Sequence, residues 1–265
     1  MRRLLIGLTY LVFLVLLVAP LAKIFVGSWG DGWSGFTESL TREQSLHALM
    51  MTGILVVIVT VLNTVFGVML AIYLVRAEWM SRRIKGLLNS IVDLPFAVSP
   101  VIGGLMIVLV LGPNSAIGAF FEDVGIKVVY ALPGMILATL FVTFPLMVRE
   151  VMPVLQEIGA QQEEAASTLG AYSWYTFWKV TWPSIRWGVI YGVVLTVART
   201  LGEFGAVLVV SGNIMNKTQT ATTLVYQDVE NFNVTEASSV ALVLAAFSVG
   251  LLLLMEWAKK RKEVH

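Results

Sequence analysis

The stretch Glu163 to Pro183, EEAASTLGAYSWYTFWKVTWP, is the most polar and aromatic interval between two long apolar runs. It carries the small pair Ala165-Ala166, then Gly170, and Pro183 is expected to end it. Its surroundings have another character. Of the 265 residues, 57% are hydrophobic and only 13% are charged, where soluble domains carry about 25% charged residues. So much apolar surface does not fit one water-soluble core, and lipid is the expected solvent. A soluble-looking segment inside such a chain must face water or a partner.

Working outward, six apolar runs reach the length of about 20 residues that a membrane helix needs. They are Leu4–Val26, Ala48–Val75, Leu87–Leu111, Ala131–Met152, Trp187–Val210 and Ala237–Trp257. The spacing predicts an all-α membrane protein of six transmembrane helices. No strand-like alternation persists between turn signals, which argues against a β-barrel. The first run follows Arg2-Arg3 but is too long for a signal sequence and lacks a small-residue cleavage site, so a retained helix is expected. With both termini in the cytoplasm, the inner segments hold Arg76, Arg82, Arg83, Lys85, Arg149, Lys179 and Arg186, and the basic residues of both tails. The outer loops hold only Arg42, Lys127 and Lys217. That asymmetry sets the orientation and puts Glu163–Pro183 in the cytoplasm. The outer loops read as short connections.

Two spans carry polar interruptions. The third contains Asp93-Leu94-Pro95-Phe96-Ala97-Val98-Ser99-Pro100, followed by Gly103-Gly104. Each proline removes a backbone hydrogen bond, which lipid tolerates only where protein or a water-filled cavity satisfies the freed carbonyl. The stretch reads as a packed, kinked helix or as a pathway-lining helix whose Ser99 and freed groups meet a solute. The fifth contains Arg199-Thr200-Leu201-Gly202-Glu203. Arg199 and Glu203, four apart, share a helix face. Each charge costs roughly 2.5–3.5 kcal/mol to insert, so the helix should face protein or water. Gly188, Gly192, Ala198, Gly202 and Ala206 form a small-residue stripe suited to close helix contact.

Several function classes are excluded. A net charge of +1 gives no basic face for nucleic acid, and there is no cysteine for a disulfide, thiol nucleophile or Cys-ligated metal. The only histidines, His47 and His265, lie far apart in the chain, against a His-based metal site. No P-loop, nucleophile elbow or zinc-protease motif occurs, so no catalytic residue is expected and any ATP must be handled by another subunit.

The opening stretch then acquires a meaning. Glu164-Ala165-Ala166, three residues, Gly170, nine residues, Val180-Thr181-Trp182-Pro183 resembles the cytoplasmic loop motif of permease subunits of ATP-binding-cassette importers, in which EAA, three residues, Gly and nine residues precede Ile-x-Leu-Pro. Val180 and Trp182 depart from the pattern without altering its spacing. Asp93 to Val101, and the fifth-span run from Arg186 through Gly202-Glu203-Phe204-Gly205-Ala206 to Gly212, resemble the second membrane subunit of sulfate and thiosulfate importers. Molybdate and tungstate permeases share the Gly-Glu-Phe-Gly segment and are similar over less of the third span.

The resemblance implies a multi-pass cell (inner) membrane permease of the type I importer fold. It would be a single domain over 1–265, with a coupling-helix loop at 153–185. It implies no cofactor on this chain, with ATP-Mg used by a partner ATPase dimer. The other partners are a second homologous permease subunit or a copy of this one, an extracytoplasmic sulfate-binding protein and the lipid bilayer. ATPase coupling falls to Glu164, Ala165, Ala166, Leu169, Gly170, Tyr172 and Pro183. Ala165, Ala166 and Gly170 are small enough for close approach, while Leu169 and Tyr172 offer apolar anchors. The pathway candidates are Asp93, Pro95, Ser99, Pro100, Arg199, Thr200 and Glu203. Molybdate or tungstate import is the alternative cargo. An ATP-independent secondary anion transporter is the alternative from another class, with only Asp93 and Glu203 as intramembrane carboxylates.

Overall fold

The computed structural model describes residues 2–77 and 79–263, all in helices and their connections. His265 lies outside them, as do the side chains of the terminal basic residues. In chain order, α1 (Arg2–Phe13), a π-helical turn (Leu14–Val18) and α2 (Ala19–Ser28) make the first span, and α3 (Gly32–Thr41) leads into the long α4 (Glu43–Arg76). Next come α5 (Arg82–Ala97), α6 (Pro100–Leu111), α7 (Ala116–Asp123) and α8 (Leu132–Ile158). A short α9 (Gln161–Thr168) precedes α10 (Ser173–Thr176), a second π-helical turn (Phe177–Thr181) and α11 (Trp182–Leu201). The chain closes with α12 (Gly205–Ser211), α13 (Ala221–Glu230) and α14 (Val234–Glu263). Among the described residues, five helical stretches are long and apolar enough to cross a membrane, and six if α5 and α6 count as one span. Helices are what such a chain must form, because lipid offers no partner to an unpaired backbone group.

α4, α8 and α11 form the centre. Val68, Leu74, Met147, Val148, Val151, Leu155, Ile185 and Val189 are buried together there. Met147 lies between two glycines: a Cβ on Gly67 would come within 2.7 Å of its side chain, and one on Gly192 within 2.6 Å. Gly188 meets the Glu150 carbonyl in the same way at 2.9 Å. The expected small-residue stripe therefore serves α8 through Gly188 and Gly192, whereas Gly202 is exposed. One turn above Met147, the Asn63 side-chain amide donates to the Thr143 hydroxyl at 2.7 Å, which donates in turn to the Thr139 carbonyl.

Two expected spans are corrected. Leu87–Leu111 is not one kinked helix: α5 and α6 meet at 108°. Val98 and Ser99 are extended (ψ 131° and 137°), as a residue before proline prefers. Pro100 then opens α6, where its missing N–H costs nothing. Pro95 lies in the last turn of α5 without ending it. Trp187–Val210 is not continuous either. α11 ends at Leu201, and Gly202-Glu203-Phe204 separates it from α12. Pro183, expected to stop the polar stretch, lies instead in the first turn of α11, inside a helix that runs from Ser173 to Leu201. The wide turn just before it, with the Trp182 N–H reaching the Phe177 carbonyl, replaces the regular ladder that a proline ring would clash with.

α6 packs on α12 at backbone distance. A Cβ on Gly104 would lie 2.6 Å from the Ala206 carbonyl oxygen and 3.1 Å from its Cα. Main chain cannot give way as a side chain does. Gly104→Val is expected to cost roughly 1–3 kcal/mol or more, read as a lower melting temperature and a smaller monodisperse yield in detergent. Wild-type values for both would contradict this contact.

At the end opposite Glu163–Pro183, the connections are more structured than the sequence suggests, since α3, α7 and α13 occupy them. Arg42, between α3 and α4, pairs with Asp228 at 2.7 Å and ties that junction to α13. On α13 the Tyr226 hydroxyl donates to Glu230, and that bond, then the Glu230 charge, raises the phenol above its usual pKa.

Candidate functional site

α8 ends at Ile158 and is followed by Gly159, whose φ of 71° only glycine adopts readily. α9 follows and closes on Gly170. The Gly170 N–H donates to the Ser167 carbonyl and the Ala171 N–H to the Ala166 carbonyl, both at 3.0 Å. With φ at 82° on Gly170, this is the paired-bond helix ending that satisfies otherwise orphaned carbonyls. A Cβ at Gly170 would meet nothing within 4 Å. In the isolated chain, Gly170 is thus required by backbone conformation, where the sequence suggests small size. Ala166 is half-buried, and Glu164, Ala165 and Pro183 are exposed. Leu169 is 88% and Tyr172 84% exposed. Two large apolar side chains are therefore exposed, one on each side of Gly170 in the chain.

Glu163, one residue before the motif, holds this loop in place. The Arg76 Nε donates to Glu163 Oε2 at 2.8 Å, and an Arg76 Nη2 donates to the Gly159 carbonyl at 2.6 Å. The Thr181 hydroxyl donates to Glu163 Oε1 at 2.8 Å. Sequence reasoning missed Arg76 and Glu163, which are 87 positions apart.

The pathway candidates fall into two groups. Asp93 on α5 receives a two-pronged hydrogen bond from Arg149 on α8, through Nε at 2.7 Å and through Nη2. Ser99 is exposed at the α5–α6 break. Arg199 and Glu203 pair at 2.9 Å, with Glu203 almost fully buried and Arg199 39% exposed. The other Glu203 oxygen accepts from the Ala206 N–H at 3.0 Å and so caps α12. Thr200 is buried, with no hydrogen-bond partner for its hydroxyl. The two breaks adjoin: a Cβ on Gly205 would lie 3.3 Å from the Pro100 Cβ and 3.4 Å from the Val101 nitrogen. Structure thus brings Pro100, Glu203 and Gly205 to one place and sets Asp93 apart with Arg149. Among the described residues, no group of three or more His, Cys, Asp or Glu is placed to hold a metal ion.

Residues 63–263 match the family of binding-protein-dependent transport system inner membrane components. The chain belongs to that family. It is a multi-pass inner-membrane permease, not itself an ATPase. The ATP-independent alternative falls with this assignment. The permease is 44% identical to the sulfate transport system permease protein CysW of Synechocystis, over 100% of its own length and 95% of that protein. It is 34% identical to the sulfate transport system permease protein CysT of Escherichia coli K12, over 93% of its length and 88% of the other. A crystal structure of a bacterial alginate ABC transporter, in complex with its alginate-bound periplasmic protein, contains a chain of the same fold. The TM-score is 0.80 at 18% identity, covering 98% of the permease and 94% of that chain. The expected all-helical importer-permease fold is borne out.

Proposed function

We propose that this permease is one of two membrane subunits of an ATP-driven importer of sulfate and thiosulfate. The observation that carries the cargo is its 44% identity, end to end, with a sulfate permease. The lower identity to a second, differently named sulfate permease supports a heterodimer of related subunits. The whole chain, 1–265, acts as one permease domain. Both termini face the cytoplasm, together with Arg76, Lys179, Arg186 and the loop between α8 and α11. An extracytoplasmic binding protein delivers the anion on the other side, and a dimer of ATPase subunits binds beneath.

The 153–185 segment is the docking element, and its exposed part begins after α8 ends at Ile158. Leu169 and Tyr172 are its apolar anchors. Glu164 is free to pair with a partner cation, Ala165 and Ala166 allow close approach, and Gly170 turns the chain. Pro183 starts the helix that carries the motion into the membrane. ATP-Mg is used by the ATPase, whose closure moves the loop and the spans attached to it, so that the cavity alternates between outward-open and inward-open.

The pathway reading is supported by two interrupted helices meeting at their breaks, an arrangement that exposes backbone and polar groups at membrane depth. Pro95 and Pro100 shape the first break, beside Ser99. Arg199, Thr200 and Glu203 flank the second. Asp93, held by Arg149, positions α5. Glu203 would repel a dianion, and its pairing with Arg199 cancels most of that field. Contacts are then weak enough for release.

In cells carrying the complete complex, deleting this subunit should abolish uptake of labelled sulfate, and an equal concentration of molybdate should leave uptake nearly unchanged. Molybdate that competes as well as unlabelled sulfate would overturn the cargo reading.

A further inference from the structure

One carboxylate and one guanidinium join the ends of α4, α8 and α9 to the π-helical turn that leads into α11, at the base of the loop. Arg76 is the last residue of α4, and its guanidinium grips the Gly159 carbonyl, just past the end of α8. It also holds Glu163, in the first turn of α9. The second Glu163 oxygen takes the hydrogen bond of Thr181, the last residue before α11. The two charged side chains are about four-fifths buried, at 20% and 22% exposure, and Thr181 is buried. Such a pair is screened less than a surface ion pair, and its planar fork fixes direction as well as distance. Beyond Glu163, α9 is held less: Glu164, Ala165 and Thr168 are exposed, as is the adjoining Leu169, and only Ala166 is half-buried. Without Glu163 the short helix would hang between two glycines with left-handed φ, Gly159 at 71° and Gly170 at 82°, which are natural hinge points.

We propose that the Arg76–Glu163–Thr181 junction is the rigid link that makes the loop move as one body with α4, α8 and α11. Glu163 is then a positioning residue for energy coupling: it is not needed to bind the ATPase but to convert the ATPase's motion into helix motion. This inference rests on the reading of the loop as the ATPase docking element. It gives the residue before the motif a different role from Glu164, which stays available to the partner.

The test uses the full complex in proteoliposomes, with ATP inside and binding protein and labelled sulfate outside. Glu163→Gln and Arg76→Gln complexes should retain their ATPase subunits and go on hydrolysing ATP, while sulfate moved per ATP falls roughly tenfold, the scale of coupling losses along a mechanical link. The double variant should be no worse than either single one, since both remove the same link. Thr181→Val, which deletes one hydrogen bond and keeps the ion pair, should give a smaller drop of about threefold and carries the test if the charge variants fail to assemble. Wild-type sulfate per ATP in Glu163→Gln or, failing that, in Thr181→Val would overturn the inference. So would loss of the ATPase from these complexes, since the junction would then serve docking. If wild-type permease itself retained no ATPase through this loop, the docking reading would fall instead.

Discussion

Gly170→Arg is expected to abolish association of the ATPase while leaving the permease in the membrane. Gly170 holds φ at 82°, and for an ordinary L-residue that conformation costs about 1–2 kcal/mol. The cost is not met by strengthening anything else, so α9 would unwind its last turn and release the Ser167 and Ala166 carbonyls that the ending satisfies. Leu169 and Tyr172, exposed on either side of Gly170, would be displaced, and a long cation would be added between them in the chain. A series separates conformation from size. Asparagine tolerates left-handed φ better than alanine does, so Gly170→Asn should retain more ATPase than Gly170→Ala, although its side chain is larger. Co-purification from membranes reads this directly. If retention followed side-chain volume instead, or if Gly170→Arg bound the ATPase normally, the conformational explanation would be wrong.

Arg199→Gln should have the next largest effect, and on a different property. Glu203 is only 1% exposed at its side chain and is Arg199's partner at 2.9 Å. Removing the cation leaves a buried carboxylate with one backbone N–H for company. Breaking a buried pair from one side costs about 3–5 kcal/mol. Because Arg199 itself is 39% exposed, the lower end of that range or slightly less is expected. Yield and thermal stability should drop, and uptake with them. The double variant Arg199→Gln/Glu203→Gln removes the orphaned charge and should recover most of the stability. Wild-type yield and uptake for Arg199→Gln would show that the pair matters to neither assembly nor transport.

How much of this was legible beforehand depends on the range of the interaction. The spans α4 and α14 are legible because about 20 apolar residues without a proline have one stable form in lipid, and α8 is legible by its apolar length although Pro145 and Pro153 lie inside it. The Arg199–Glu203 pair is legible from its spacing of four, and it forms even though α11 ends at Leu201, between the two residues. The break in the third span shows in Pro95 and Pro100, although its size does not, since two prolines are compatible with a kink. The break at Gly202–Phe204 is hidden because apolar residues resume at once with Ala206 and Val207, and what starts the new helix there is a capping contact from Glu203 to the Ala206 N–H that composition does not reveal. Gly170 is legible as a fixed position, but its reason becomes clear only from φ. Arg76–Glu163 and Asp93–Arg149 are out of reach in principle, because no local periodicity pairs residues 87 or 56 positions apart. The one available signal for Glu163 is an acidic residue in the first turn of a short helix, which many helices share.

The exposed turn at Leu169 and Tyr172 can be questioned directly, because the chain has no cysteine and a single introduced thiol is unambiguous. A photo-activated cross-linker attached at Leu169→Cys, in a complex that still imports sulfate, should join the permease to the ATPase subunit. The same probe at Leu87→Cys, on the exposed side of α5, should not. An actively transporting complex in which the probe at position 169 never reaches the ATPase would show that this loop is not where the two proteins meet.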